Sequence, residues 1–240
     1  MKVRPERFFL LFLVSACAAI PYSAHAADTN GYLYIAHAAP GRNISSTTNP
    51  EYPVDISIGG QCIAQGLSFG EIRGPFTLPA ATYAAKLSIA DATDPCGGSV
   101  VFSGSAAITA GSSWMGMVAL NSANQVVGKI FALDLKAVPT GRGILIVANT
   151  TTDNLTGTIT VGDGTSSPLS ANFAAGTVTS VPVLKGLYNA TVYPEGSSTA
   201  ATGPTRFESV SRNVYLFVLA GSTANNSVQI IGPEVIRDVL

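Results

Sequence analysis

The feature that most constrains this chain is a series of short segments in which apolar and polar residues alternate, each bounded by Gly, Pro, Asn or Asp. They run from Tyr32 to Ala38, Val54 to Ile58, Thr82 to Ile89, Ser112 to Leu120 and Gln125 to Leu133. Others run from Ile144 to Ala148, Gly157 to Val161, Thr177 to Val183, Tyr188 to Tyr193 and Val214 to Leu219. A period of two sends successive side chains to opposite faces of a strand, whereas a helix repeats every 3.6 residues. The segments are rich in Val, Ile, Thr and aromatic residues and have strand length. Turn signals recur about every ten residues, the spacing of an all-β sandwich or barrel. A helical pattern is confined to Glu234 to Leu240, after Pro233, and is too short to be stable alone.

Composition sharpens this reading. Apolar residues make up 47% of the 240 residues, enough for a core, which argues against disorder. Charged residues are only 11%, against about 25% in an average soluble domain, and the formal net charge is -1. With no basic surplus to neutralise phosphates, nucleic acid is not an expected partner.

The two halves of the pattern echo one another. Tyr32-Leu33-Tyr34-Ile35-Ala36 matches Ile144-Leu145-Ile146-Val147-Ala148, and Ile56-Ser57-Ile58-Gly59-Gly60 matches Ile159-Thr160-Val161-Gly162-Asp163. Leu78-Pro79-Ala80-Ala81-Thr82-Tyr83 finds an echo in Leu184-Lys185-Gly186-Leu187-Tyr188, and Trp114 to Ala119 in Tyr215 to Leu219. The expected fold is therefore two tandem antiparallel, immunoglobulin-like β-sandwiches, at 27–138 and 139–240. Lys136 to Arg142, with Pro139 and Gly141, forms the joint.

Residues 1–26 read as an address. Lys2, Arg4 and Arg7 precede an apolar run from Phe8 to Ile20, Pro21 breaks it, and Ala24-His25-Ala26 supplies a small-x-small cleavage site. The run is shorter than the ~20 residues of a spanning helix, and no transmembrane helix is expected. A competing reading takes Val14-Ser15-Ala16-Cys17 as a lipoprotein box, with acyl chains on Cys17 anchoring the protein to a membrane. The apolar run continues through Ala18-Ala19-Ile20 and so favours free export to the periplasm or beyond. Export leaves Cys62 and Cys96, an even pair that predicts a disulfide worth roughly 3–4 kcal/mol.

The motifs Tyr34-Ile35-Ala36-His37-Ala38-Ala39-Pro40, Val54-Asp55-Ile56, Leu67-Ser68-Phe69-Gly70 and Leu78-Pro79-Ala80-Ala81-Thr82-Tyr83 together resemble the DUF4397 family. The resemblance covers about residues 31–134; the second half is a divergent copy, with Ala148-Asn149 in place of the Ala-His pair and nothing answering Asp55. It implies an exported bacterial or archaeal β-sandwich module and no particular chemistry. A more distant likeness, of architecture alone, is to periplasmic accessory proteins of alginate O-acetylation.

Candidate chemistry is sparse. Gly66-Leu67-Ser68-Phe69-Gly70 fits the G-x-S-x-G elbow of hydrolases, which needs a following helix and a later histidine. Gly74-Pro75 opposes the helix, and His37, the one histidine outside the leader, precedes the serine, so a glycine-bounded turn is expected. His37 and Asp55 form the candidate pair, structural or ligand-binding: a carboxylate accepting from the imidazole would fix its tautomer, and the structural reading places His37 on an inner strand or its end, bonding Asp55 or a turn backbone and locking the exit into the loop. Asp91, Asp94, Asp153 and Asp163 read as turn residues, because their spacing is not that of a calcium loop. Gly162-Asp163-Gly164 is a hairpin signal. The Asn-x-Ser/Thr triplets at Asn43, Asn149, Asn154, Asn189 and Asn225 read as polar turns in a bacterial protein. No catalytic, metal or cofactor residues are expected. The functional expectation is a non-enzymatic envelope module that contacts a protein or polysaccharide. The alternative is an accessory factor in exopolysaccharide modification such as O-acetylation.

Overall fold

A computed structural model describes residues 29–45, 47–135, 138–161 and 169–236. The leader, Cys17, Gly162-Asp163-Gly164 and residues 237–240 lie outside the described residues. The first half forms β1 (Asn30–His37), β2 (Val54–Ile58), β3 (Gln61–Leu67), β4 (Ile72–Pro79), β5 (Ala81–Ile89), β6 (Val100–Ile108), β7 (Ser113–Leu120) and β8 (Val126–Leu133). A single turn of helix, α1 (Gly41–Ile44), follows β1. The second half forms β9 (Arg142–Asn149), β10 (Leu155–Val161), β11 (Leu169–Phe173), β12 (Val178–Leu184), β13 (Gly186–Pro194), β14 (Thr202–Ser209), β15 (Val214–Ala220) and β16 (Gln229–Ile236).

These strands make four four-stranded sheets, and the second half repeats the first strand for strand. The order β4-β1-β7-β8 recurs as β12-β9-β15-β16, and β3-β2-β5-β6 recurs as β11-β10-β13-β14. The all-β sandwich expected from the alternating segments is therefore present twice. One detail corrects that expectation: the sheets are not wholly antiparallel. β1 pairs parallel with β7 (Ile35 opposite Gly116), and β9 pairs parallel with β15 (Val147 opposite Phe217). The chain between each such pair builds the rest of its sandwich, so no hairpin dictates the strand direction.

The four sheets stack as layers around three apolar cores. Leu33, Ile35, Val54, Ile56 and Val118 fill the space between the two sheets of the first repeat. Leu145, Val147, Phe207, Phe217 and Leu219 do the same in the second. A third core joins the repeats: Tyr34, Ala36, Met115 and Met117 on one side meet Ile146, Ala148, Leu216 and Val218 on the other. The sheets carrying β1 and β9 are thus inner layers, covered on both faces. β15 makes the consequence plain. Its residues Val214, Leu216, Val218 and Ala220 face the first repeat, Tyr215, Phe217 and Leu219 face its own sandwich, and all seven are buried. Strands covered on both faces read as unbroken apolar runs, which accounts for Ile144-Leu145-Ile146-Val147-Ala148.

The edges differ from the centres. Gly74-Pro75 in β4, Gly203-Pro204 in β14 and Gly232-Pro233 in β16 all lie in edge strands, where proline's missing N–H disrupts no inner ladder. Each coincides with a shift of register against its neighbour. The weak helical pattern at Glu234 to Leu240 forms strand over its described residues. Glu234, Val235 and Ile236 continue β16, opposite Leu216, Tyr215 and Val214, because Ile236 completes the joint core.

The joint core generates a direct expectation. Leu216 is fully buried in it, and Leu216→Ala should cost roughly 2–5 kcal/mol in denaturant-induced unfolding. A change below about 0.5 kcal/mol, the range of surface substitutions, would show that the inner sheets do not pack on one another.

Candidate functional site

His37 ends β1 and is fully buried. Its Nε2 donates to the carbonyl of Tyr52 at 2.7 Å, and its Nδ1 accepts the backbone N–H of Ala39 at 3.2 Å. The two bonds define one neutral tautomer, protonated at Nε2. The rings of Tyr52 and Phe69 stand edge-on to the imidazole, each with centroids 6.3 Å away. Burial pushes the His37 pKa down to about 4, against weaker opposing effects of the Tyr52 hydrogen bond and the Glu71 carboxylate. The backbone of His37 is bonded to the next loop too: its N–H donates to Glu71 O at 3.0 Å and its carbonyl accepts from Gly70 at 2.9 Å.

Ser68 lies in that loop, as the expectation of a glycine-bounded turn required. Glu71 N–H donates to Ser68 O, the Glu71 carboxylate accepts from Ser68 N–H at 3.1 Å, and Arg73 pairs with the same carboxylate at 2.7 Å. The chain goes on into β4 and not into a helix. Both ring nitrogens of the nearby imidazole are engaged by backbone, so neither is directed at the serine as a base.

Asp55 does not join His37. It lies on β2, on the face of the outer sheet turned away from the sandwich core, yet it is almost completely buried. The loop between β5 and β6 covers it. One carboxylate oxygen accepts from Gly66 N–H at 2.7 Å; the other accepts from Cys96 N–H at 2.8 Å and Asp91 N–H at 3.4 Å. Gly66 is the bulged residue of β3, with φ +56, a left-handed conformation that glycine adopts without steric cost. The expected bridge is present: Cys62 of β3 is bonded to Cys96 of the loop, with Cα atoms 5.7 Å apart. Of the two partners expected for His37, Asp55 or a turn backbone, the fold uses the backbone, and three backbone donors claim the Asp55 oxygens.

Asp55 and the disulfide hold the loop as one wall of a concavity of about 470 Å³ on the outer sheet. Ser57, Lys86 and Asp94 supply its polar groups, and Cys62, Cys96 and Gly97 complete the wall. That volume lies in the range of small-molecule sites. Asp91 supports the loop from outside: it accepts from the N–H and hydroxyl of Thr93, bonds that draw its pKa down.

Asn149 stands in the sequence both in place of the histidine of the Ala-His pair and among the triplets read as polar turns, and the structure agrees with the first. It is fully buried, not a polar surface turn, and it performs at the end of β9 what His37 performs at the end of β1. Its amide donates to Asp153 O and Phe173 O at 2.8 and 2.9 Å, and its Oδ1 accepts from Thr151 N–H. Its backbone bonds Thr177 O and Gly176 N–H, as His37 bonds Glu71 O and Gly70 N–H. The repeats correspond elsewhere as well, Tyr83 Oη donating to Pro79 O and Tyr188 Oη to Leu184 O.

No family model and no curated protein matches this chain. Among solved structures, it is similar to the Bacillus anthracis TIE protein, at 13% identity and a TM-score of 0.28 over 82% of this chain. The match spans only 34% of the TIE chain. It is also similar to a "putative cell adhesion protein" from Bacteroides ovatus, at 10% identity and a TM-score of 0.28, covering 88% of this chain and 98% of that one.

The buried imidazole sets a pH dependence. An unfolded chain takes up a proton at His37 near pH 6.5, whereas the folded protein resists until about pH 4. The contribution is therefore intact above pH 6.5 and is lost as pH falls through that window, by up to about 3 kcal/mol. Unfolding free energies of the wild type and His37→Gln between pH 7 and pH 4 should differ in slope, the variant being flatter; parallel profiles would contradict the assignment.

Proposed function

We propose that the chain is a non-enzymatic binding module of the bacterial cell envelope, contacting a polar polymer or a protein at the concavity beside Cys62–Cys96. The observation that carries this reading is the state of His37. Its two ring nitrogens are spent on Tyr52 O and Ala39 N–H, so the imidazole positions a loop and does not activate Ser68. The geometry beside the disulfide supports contact. A cross-linked wall costs little ordering entropy when a partner binds, and Lys86, Asp94 and Ser57 offer donors and acceptors suited to sugar hydroxyls or peptide groups.

The envelope location rests on the leader and on the disulfide, which forms and persists in oxidising compartments. Membership of the DUF4397 family, on the motifs around His37, Asp55 and Tyr83, belongs to the same proposal.

Immobilised protein should retain envelope polysaccharide or protein from a periplasmic extract, and Lys86→Glu should reduce retention several-fold with the fold intact by circular dichroism. Hydrolysis of 4-nitrophenyl acetate should stay at the uncatalysed background. Turnover abolished by Ser68→Ala would overturn the non-enzymatic reading, and equal retention by Lys86→Glu would remove the concavity from it.

A further inference from the structure

The two repeats fill their interiors differently. Between the sheets of the first repeat lies a cavity of about 80 Å³, walled by Leu33, Ile35, Ile56, Ile58 and Leu87. The corresponding space in the second repeat is about 20 Å³. Strand pairing identifies the cause residue by residue. Tyr83 and Tyr188 make the same hydroxyl bond, and opposite them stand Ala106 in one repeat and Phe207 in the other. The parallel ladders place Gly116 opposite Ile35 and Phe217 opposite Val147. Further along, Gly128 pairs with Val118 where Ile230 pairs with Leu219.

Phe207 and Phe217 lie 5.2 Å apart and, with Tyr188 and Tyr215, form the aromatic cluster that fills the second sandwich. The first repeat has alanine and glycine at the two phenylalanine positions, and both line its cavity. The void is thus not a requirement of the fold. A Cβ built on Gly116 meets nothing nearer than Leu33 Cδ1, at 3.7 Å, so a side chain would fit there.

The cavity reaches the sheet edges at β6 and β8, where the ring of Phe102 lies over Gly104 and Gly128. A Cβ at either glycine would come within 3.0 Å of that ring. The two glycines seat one aromatic side chain there, and the polar residues of the lining are Ser105 and Lys129, whose Nζ donates to Thr150 O. An apolar cavity of about 150 Å³ takes up benzene or xenon and stays dry without them. A volume of about half that suits a narrower guest.

We propose that the first sandwich is a binding site for the end of a linear alkyl chain, entering between β6 and β8 past Phe102. A linear chain matches the observations because its end is narrow, needs no polar partner among the aliphatic walls, and leaves its headgroup in water beside Phe102. Such a chain could be supplied by a free fatty acid or by a membrane lipid.

The probe is sodium decanoate, added to the protein without its leader and followed by calorimetry and by the amide resonances of Gly116 and Gly128. Wild type should bind, with shifts centred on those two glycines. Gly116→Leu, which supplies the missing side chain, should weaken binding by roughly tenfold or more, with a thermal midpoint equal to or above that of wild type. Ala106→Leu serves as the second variant if Gly116→Leu does not fold. Pelleting with phosphatidylglycerol vesicles, relieved by decanoate, would assign the chain to membrane lipid; decanoate binding without pelleting would assign it to a free carboxylate. Absence of decanoate binding to wild type, or equal binding by the folded filled variant, overturns the proposal.

Discussion

Burying both faces of a β-sheet places two demands on a chain: unbroken apolar strands, and a partner for every backbone group where those strands end. The inner sheets of this protein meet both. Leu216, Ile146, Met115 and their neighbours interlock the repeats, while Leu145, Val147, Leu33 and Ile35 serve the sandwich on the opposite face of the same sheets. Each fully buried aliphatic side chain contributes about 1.5–3 kcal/mol, so the joint core is no mere touching of two domains. Its side chains belong to the same strands that anchor each sandwich.

The strand ends explain the polar residues that look functional in isolation. Where β1 and β9 leave the core, carbonyl and amide groups have no water to turn to. His37 and Asn149 provide the missing partners, each with one side-chain acceptor for a backbone N–H two residues on and a donor for a distant carbonyl. Asp55 answers the same demand where the disulfide loop folds over the outer sheet. All three side chains are used to close loops. The concavity beside Cys62–Cys96 lies on the outer sheet of the first repeat, and the unfilled interior beside Phe102 lies between that sheet and the inner one.

Much of this was legible in the sequence, and the misses have physical causes. Central strands such as Val54–Ile58 announce themselves by alternation, and the echo of Leu78–Tyr83 in Leu184–Tyr188 is a repeated hydroxyl bond. β3, β4, β6, β11, β14 and β16 escaped because edge strands tolerate glycine, proline and charge. Gly74-Pro75, Gly203-Pro204 and Gly232-Pro233 look like breaks and are bulged edges. The helical pattern at Glu234 to Leu240 is too short to be stable alone, and its described residues Glu234–Ile236 pair with β15. His37 and Asp55 are both buried, but a sequence does not reveal which backbone groups of distant loops each one bonds. The stacking of the repeats shows in the sequence as unbroken apolar runs, Ile144 to Ala148 and Val214 to Leu219, which are grouped above with the alternating segments although both their faces are buried.

Small-angle X-ray scattering of residues 27–240, at a concentration where the scattering mass is that of one chain, tests the central claim most directly. Stacked inner sheets predict a radius of gyration near the compact value for this length, about 17 Å. Two sandwiches held apart on the joint around Pro139 would give a value above about 21 Å and a scattering profile with two centres of mass, which would contradict the shared core.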